Sequence, residues 1–531
     1  MAAVPREPWL GLHCFLRATP EDTDAFLVED LAPLLDGLVA GREAAAWSFA
    51  RHEEGGAHLR VRVRGPRPAA RAELGPALRR LAGARLAQGA EVREVPYAPG
   101  PGGPFPVSVA EGLRALATRV AVDCVAGASR GGPRLAVAAD LAHATAWALG
   151  LDRYGAARWL RGQAARRPWA RGVPLLPARL VHAQVNTVYA AQREGLASRA
   201  GALLRALADG TAGGPVARWA AAVRAAESTL PSDAREPRAQ WAALLHALLN
   251  GLGVAPEEEL AVYRLAAKAL LDSGEPLSYF PDGHLDADRQ YLERSKFQIG
   301  LDRDSLARHA PPERLAQAPE VSLPGGSLPE VSLRAAVTGR TSTRRLGGPL
   351  TAAGLGTLLW GAHAASHTTG SDAAPVRHRP YPSAGSLYTA GLRLFALEVE
   401  GLAPGTYQAV PERRSLRRVA DAPSLDEVRA LSAYLTLPRE DPLSIAVDGV
   451  PAVLGLFVDL GRLRQRYGLR ALRLGLLEAG HLAQSLLLTA SALGLATTPL
   501  GGFRDDLAQE LFGLDDLDQP LQYLLPLGRA V

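Results

Sequence analysis

The apolar positions of this chain fall into three regimes. From about residue 8 to 275, short alternating segments mix with long Ala/Leu/Arg stretches of helical period, as over 137–149 and 241–271. Over 276–330 the period is lost, and SGEPLSYFPDGH, HAPPERLAQAP and SLPGGSLPE bring turn and breaker residues in quick succession. From 331 to 531 dense apolar periodicity returns, with a buried-looking helix over 474–493 and a strand-like tail over 523–527. This pattern predicts an α+β domain over 1–275, a second domain over 331–531, and between them a linker over 276–330 packed on the second domain. The echo of PEVSL near 319–333 is too short to make a repeat protein.

Two local patterns in the first domain are specific enough to place side chains. Trp47-Ser48-Phe49-Ala50-Arg51, a Glu-Glu-Gly-Gly turn and Ala57-His58-Leu59-Arg60-Val61-Arg62-Val63-Arg64 read as a β-hairpin. Period-two alternation puts Leu59, Val61 and Val63 on a core face and His58, Arg60, Arg62 and Arg64 on a cationic one. Like charges at that spacing repel unless water or an anionic ligand separates them, and both readings stand at this point. In the helix from Trp241, Leu244, Leu245, Leu248, Leu249 and Leu252 form the apolar stripe, while His246 and Asn250, four apart, project together.

Composition narrows the class. The 531 residues suffice for two to four domains, and 47% hydrophobic with 21% charged residues is the balance of a folded globular protein. The N-terminus lacks a basic region followed by a long apolar run, and the expected location is the cytoplasm. Cys14 and Cys124 are too few for a disulfide framework or a cysteine-rich metal site, so redox chemistry would need a bound cofactor. The net charge of +5 is carried almost wholly by arginine, with acids interspersed; the concentrated patch at Arg161–Arg171 reads as a solvated helix face. Nucleic-acid binding is set aside for want of a fold motif or interleaved aromatics.

In the second domain Arg340, Ser342 and Arg344 stand at alternate positions, which in an extended segment aims two guanidiniums and a hydroxyl the same way. By itself this fits a phosphate grip or a solvated turn. Downstream, Arg379-Pro380-Tyr381-Pro382-Ser383-Ala384-Gly385-Ser386-Leu387-Tyr388 and Thr498-Pro499-Leu500-Gly501-Gly502-Phe503 are loops of small residues that let backbone donors approach a flat ring. With a Gly-Thr-Tyr segment and a Glu-x-Gly-His-x-x-Gln helix pattern, this ordered set resembles the nitroreductase superfamily, specifically the SagB-type FMN-dependent azoline dehydrogenases.

The resemblance implies an antiparallel or mixed sheet wrapped by helices, and a homodimer through the flavin domain. It assigns Arg340, Ser342, Arg344 and Arg529 to the FMN phosphate, and Pro382, Ser383, Ala384, Gly385, Ser386, Leu500, Gly501 and Gly502 to the isoalloxazine. Glu478, His481 and Gln484 recur every three positions and are expected on one face; Glu478 and His481 fit a polar stripe at a subunit interface or the flavin site equally, and Gln484 fits a flavin contact better. Aromatising an azoline also needs a base. Where the family carries Lys-Tyr this chain has Arg466-Tyr467; arginine stays protonated, so Tyr467 becomes the expected base, with the charge of Arg466 favouring the anionic form the reaction requires. The alternative is a charged helix surface.

The hairpin and the His246/Asn250 helix together resemble the elimination domain of lantibiotic and thiopeptide dehydratases, in which a glutamylated Ser or Thr loses its α-proton and expels glutamate. Arg60 and Arg62 would then bind the glutamyl group, His246 would transfer the proton, and Arg51 of the same hairpin joins the catalytic set. Two departures exist: the Glu-x-x-Arg-Tyr-Gly-Gly motif is reduced to the segment from Tyr97 to Gly103, and the arginine expected after Asn250 is Gly251, with Arg93 as the possible substitute. The scaffold is also similar to pyridine-forming enzymes of thiopeptide pathways.

The combination resembles the bifunctional tailoring enzymes of lactazole-type thiopeptide pathways. It implies a precursor peptide as substrate and separate tRNA-dependent glutamylation and cyclodehydratase partners, with no metal, membrane or direct nucleic-acid contact. Two rivals keep a flavin but change the rest: a non-catalytic peptide-binding N-terminal domain, or a general nitro or quinone reductase with a nicotinamide donor.

Overall fold

The computed structural model describes residues 9–86, 88–97, 105, 107–128, 133–166, 176–230, 239–272, 291, 319–371, 374–515 and 517–530. The fold is α+β throughout, as the apolar periods predict, and it divides into two compact units. One comprises Met1–Leu176 with Ala183–Glu275, the other Pro177–His182 with Pro276–Val531. Most of the expected linker, 276–330, and the segment ending at Gly103 lie outside the described residues.

In the first unit, β1 (Trp9–Leu16), β2 (Ala46–His52), β3 (His58–Arg64) and β4 (Ala90–Glu94) form an antiparallel sheet in the order β2-β3-β1-β4. Alternation sorts its faces: Leu10, Leu12, Leu59, Val61 and Val63 are all at most 3% exposed. The helices are α1 (Pro20–Phe26), α2 (Ala32–Ala40), α3 (Pro68–Arg85), α4 (Val107–Ala128), α5 (Arg134–Ala148), α6 (Arg153–Arg166), α7 (Ala178–Ala208, of which residues up to His182 count with the second unit), α8 (Gly214–Ser228), α9 (Ala239–Gly251) and α10 (Pro256–Leu271). The apolar run over 241–271 is therefore two helices. Gly253, at φ +78°, provides the left-handed turn that a side chain resists, and Pro256 opens α10, where a missing N–H costs nothing.

The second unit is built on a sheet in the order β15-β16-β14-β10-β12-β13-β5, with β6 also on β16. Its strands are β5 (Glu320–Ser322), β6 (Leu346–Gly347), β7 (Leu350–Thr351), β8 (His367–Ser371), β9 (Ala374–His378), β10 (Ala390–Ala396), β11 (Val399–Glu400), β12 (Gly405–Val410), β13 (Ser415–Ala420), β14 (Ala452–Val458), β15 (Ala496–Thr497) and β16 (Leu521–Ala530). Helices α11 (Leu333–Gly339), α12 (Ala352–His363), α13 (Leu425–Ala430), α14 (Ala433–Thr436), α15 (Leu460–Tyr467), α16 (Ala471–Ala492) and α17 (Asp505–Phe512) accompany it. β14, AVLGLFV, is buried along its whole length, as a central strand covered on both faces must be.

The end of the expected linker belongs to this unit. β5 pairs with β13, and Pro324 and Gly325 cross α12 so closely that a Cβ on Gly356 would fall 1.9 Å from the Pro324 carbonyl oxygen. Trp360 Nε1 donates to Leu323 O at 2.9 Å and seals that crossing. No helix among the described residues is long and apolar enough to cross a membrane.

Candidate functional site

In the second unit, three segments far apart in sequence meet at one end of the sheet. Ser342 bridges Thr497 in parallel, Thr498 Oγ1 donates to Thr343 O at 2.5 Å, and Arg529 on β16 pairs with Gly347 on β6. The 340–347 segment, β15 and the C-terminal strand thereby bring Arg340, Ser342 and Arg529 to one neighbourhood. Among the described residues the side chains of Arg340 and Arg529 have no hydrogen-bond or ion-pair partner, and Ser342 is exposed. Arg344 differs: the chain bends there and its guanidinium donates to the Pro442 carbonyl, so part of its fork is engaged by protein. Leu500 bridges Leu524, and Gly501 and Gly502 follow it; the Gly502 carbonyl accepts from Ser432 Oγ at 2.5 Å, and a Cβ on Gly502 would meet the Tyr434 ring at 3.2 Å.

The loop from Pro382 to Ser386 is a tight, strained turn. Gly385 (φ +57°), Ser386 (φ +53°) and Tyr388 (φ +49°) all have left-handed backbones. A buried carboxylate fastens it: Glu478 on α16, 1% exposed, accepts from Ser383 Oγ at 2.7 Å, Thr389 Oγ1 at 3.3 Å and Ala390 N at 2.8 Å. Ser383 Oγ in turn accepts from Tyr388 N at 2.8 Å. The expected common face of Glu478, His481 and Gln484 is not found; Glu478 points inward while His481 and Gln484 are exposed. Three residues advance only 300° around a helix, so each step slips 60° and six residues lie about 120° apart.

Tyr467 and Arg466, at the end of α15, stand against this loop. A Cβ on Gly385 would lie 2.6 Å from Tyr467 Oη and 2.9 Å from Arg466 Nη1, so any larger residue would displace both side-chain ends. The Arg466 guanidinium lies 5.6 Å from the centre of the Tyr467 ring. Behind the loop is a polar network that the sequence did not announce. Arg379 reaches Tyr381 Oη at 3.1 Å and Glu412 at 2.5 Å, Tyr381 is 3.0 Å from His363 Nδ1, and Arg379 lies over the Tyr388 ring. Burial, helped by the Arg379 charge, holds His363 well below the usual imidazole range; burial also pushes the Tyr381 phenol up.

In the first unit the hairpin side chains divide as alternation requires. Arg60, Arg62 and Arg64 are half-buried on one face, while Arg51, paired in register with Leu59, points to the other. The expected grouping of Arg51 with Arg60 and Arg62 is therefore split across the sheet. Arg51 is held by Asp24 at 2.6 Å and by the Gly251 carbonyl at 3.1 Å, and Arg134 shares Asp24. On the opposite face His13 on β1 lies between Arg60 and Arg93, so Arg93 shares a row with Arg60. Arg93 pairs with Glu91 and covers the Phe15 ring, and Arg62 covers Tyr97 at 4.5 Å. His58, stacked on His13 and Phe15, accepts from Arg60 Nε at 3.0 Å, and His52 stacks on His58. Desolvation, then the charges of Arg60 and Arg62 with His58 and His13, lower His52 to about 4.

Asn250 clamps α9 to β2 by accepting from Arg51 N at 2.8 Å and donating to Arg51 O at 3.0 Å. One turn away, His246 Nδ1 is 2.7 Å from Glu259, a carboxylate 1% exposed that also accepts from Tyr263 Oη at 2.6 Å. Because a carboxylate only accepts, this contact calls for an imidazole proton on Nδ1. Glu259 and Tyr263 were missed in the sequence because α10 is a separate helix, docked by tertiary packing. The absence of an arginine after Asn250 also has a steric reason: a Cβ at Gly251 would meet Ala121 Cβ at 2.9 Å.

Residues 9–270 match the family described as the lantibiotic biosynthesis dehydratase C-terminal domain, and residues 337–529 match the nitroreductase family. A nitroreductase-type protein of Methanocaldococcus jannaschii is 30% identical over 213 residues, which cover 40% of this chain and 97% of that protein. Among solved structures, the pyridine synthase TbtD from thiomuracin biosynthesis is 21% identical, covering 50% of this chain and 97% of its own, with a TM-score of 0.40. The tRNA-dependent lantibiotic dehydratase MibB from Microbispora is 24% identical over 51% of this chain, with a TM-score of 0.35, and this chain spans 28% of its length. The chain is thus an enzyme of two parts, belonging through its C-terminal half to the nitroreductase oxidoreductases and matching, ahead of it, the lantibiotic dehydratase C-terminal domain.

Proposed function

We propose that this protein tailors a ribosomal peptide at two independent centres: glutamate elimination in the first unit and oxidation of azoline rings to azoles in the second. The observation that carries the oxidase reading is the meeting of the Tyr467 hydroxyl with Gly385 in a loop that a buried carboxylate holds fixed.

The residues present fit FMN. Arg340, Ser342 and Arg529, with the remaining donors of Arg344, would hold its phosphate. The Pro382–Ser386 loop, with Leu500, Gly501 and Gly502, would line the ring system. Gln484 remains a candidate contact from the exposed face of α16. Bound FMN supplies a two-electron acceptor for the hydride leaving one azoline carbon. The Tyr467 phenolate takes the proton from the neighbouring carbon and returns it to solvent. Arg466 stands beside it, against the same glycine of the loop. Glu478 keeps the loop from moving away from that hydroxyl.

In the first unit, His246 Nε2 would remove the α-proton of a glutamylated Ser or Thr, with Glu259 stabilising the resulting imidazolium. Arg60 and Arg62, joined by Arg93 in the same row, would grip the glutamyl carboxylate and stabilise the developing enolate. Arg51 would serve by fixing the β2 edge against α9. The substrate is a precursor peptide carrying azolines and glutamyl esters, both installed by other proteins.

Mass spectrometry of a glutamylated, thiazoline-containing peptide incubated with the purified protein tests both centres at once. Loss of glutamate reports the first, and loss of two hydrogens reports the second. Tyr467→Phe should abolish only the hydrogen loss, and His246→Ala only the glutamate loss. Either substitution removing both, or neither loss occurring with wild type, overturns the proposal.

A further inference from the structure

A cavity of about 780 Å³ opens beside the Pro382–Ser386 loop, within the volume range of ligand sites. Its wall contains Gly385, Ser386 and Tyr388 from the loop but none of the four residues placed at the FMN phosphate. Its charge is lopsided: Arg377 on β9, Arg379, Arg414 in the β12–β13 turn and Arg462 on α15 face a single acid, Glu412. That acid is already engaged by Arg379. Arg377, Arg414 and Arg462 are exposed, and no side-chain hydrogen bond or ion pair occupies them among the described residues. Uncompensated guanidiniums around one concavity focus a positive potential into it.

A second, independent observation comes from the backbone. Among the described residues the non-glycine positions with left-handed backbones are Arg42, Ser386, Tyr388 and Arg414, and the last three all line this cavity. Each costs roughly 1–2 kcal/mol that a glycine would not, and such strain concentrates where a side chain is needed for function. Arg414 is the clearest case, an arginine at the turn position best suited to glycine.

We propose that this cavity binds an acidic segment of the peptide substrate, its carboxylates taken by Arg377, Arg414 and Arg462, and so positions the ring to be oxidised at the neighbouring loop. This rests on the peptide-oxidase reading of the same unit. The three arginines come from separate elements and stand at the rim, an arrangement that suits several carboxylates along an extended chain. A compact dinucleotide pyrophosphate would instead call for converging backbone donors at a helix start.

The test uses the full chain and two short fluorescein-labelled peptides, one alternating glutamate with glycine and one with glutamine in place of each glutamate. By fluorescence anisotropy in low salt, the wild type should prefer the acidic peptide by about tenfold, as expected for three exposed arginine–carboxylate contacts. The triple variant Arg377→Ala, Arg414→Ala, Arg462→Ala should lose that preference while keeping the wild-type flavin content and circular dichroism. Equal binding of the two peptides, an unchanged preference in the triple variant, or displacement of the acidic peptide by equimolar NADPH each overturns the proposal. Oxidation of a small, uncharged thiazoline is measured in parallel. Turnover without charge-selective binding defeats the cavity assignment alone, whereas charge-selective binding with no turnover of any thiazoline defeats the oxidase reading.

Discussion

Replacing Glu478 separates the loop's anchoring from every other feature of the second unit. The carboxylate is buried and accepts three hydrogen bonds, from Ser383 Oγ, Thr389 Oγ1 and Ala390 N. In Glu478→Ala the two hydroxyls can turn to other partners at about 1 kcal/mol each, but the Ala390 amide cannot, and a buried donor left unpaired costs about 1–3 kcal/mol. The sum is roughly 3–5 kcal/mol, which for a domain of about 200 residues corresponds to a fall in Tm of about 6–20 °C. Glu478→Gln behaves differently. With its amide oxygen toward Ala390 N, its NH2 group faces Ser383 Oγ, a hydroxyl able to accept, so the loss should be about 1 kcal/mol. Thermal unfolding followed by circular dichroism, with the flavin-to-protein ratio after gel filtration, measures both. The reasoning expects the Ala variant to lose stability and flavin together and the Gln variant to keep most of each. An Ala variant as stable and as yellow as wild type would refute the anchoring role, and a Gln variant as damaged as Ala would show that charge, not acceptor geometry, matters.

Gly385→Ala should leave the protein folded, at a stability cost of about 1 kcal/mol from the left-handed backbone, yet reduce thiazoline oxidation at least tenfold, because its methyl displaces the Tyr467 hydroxyl; steady-state rates on a small thiazoline decide this. Glu259→Gln removes the carboxylate that orients the His246 imidazole, so glutamate loss should slow by about 100-fold or more with hydrogen loss unchanged, as read from the same peptide by mass spectrometry. His52 titrates at about 4 in the fold against 6.5 ordinarily, so the unfolded chain takes up its proton first. Its contribution to stability is therefore complete above 6.5 and declines as the pH falls toward 4. Histidine NMR titration checks the value, and His52→Gln should flatten that part of the denaturation profile.

Much of this molecule was legible because the information was local. The hairpin faces, the leucine stripe of α9 and the central α16 follow from periods of two and 3.6, and the structure reproduces them to within a few residues. The small-residue loop announced itself because a run of small side chains lets backbone donors approach a flat ring. The choice of Tyr467 as base came from family resemblance, whereas its meeting with that loop came from the structure, since no local period links residues some eighty apart.

What the sequence by itself determined is which faces are apolar, where the backbone must turn, and which residue types are available for phosphate, flavin and proton chemistry. Tertiary structure alone decided the partnerships. Glu478 turns inward rather than joining His481 and Gln484, Arg51 lies across the sheet from Arg60 and Arg62, Glu259 comes from the next helix to hold His246, and three arginines from separate elements ring one cavity. The physical reason is common to all four. A hydrogen bond or ion pair is set by distances of about 3 Å between groups whose separation along the chain carries no periodic signal, so it exists only once the apolar cores have fixed the backbone.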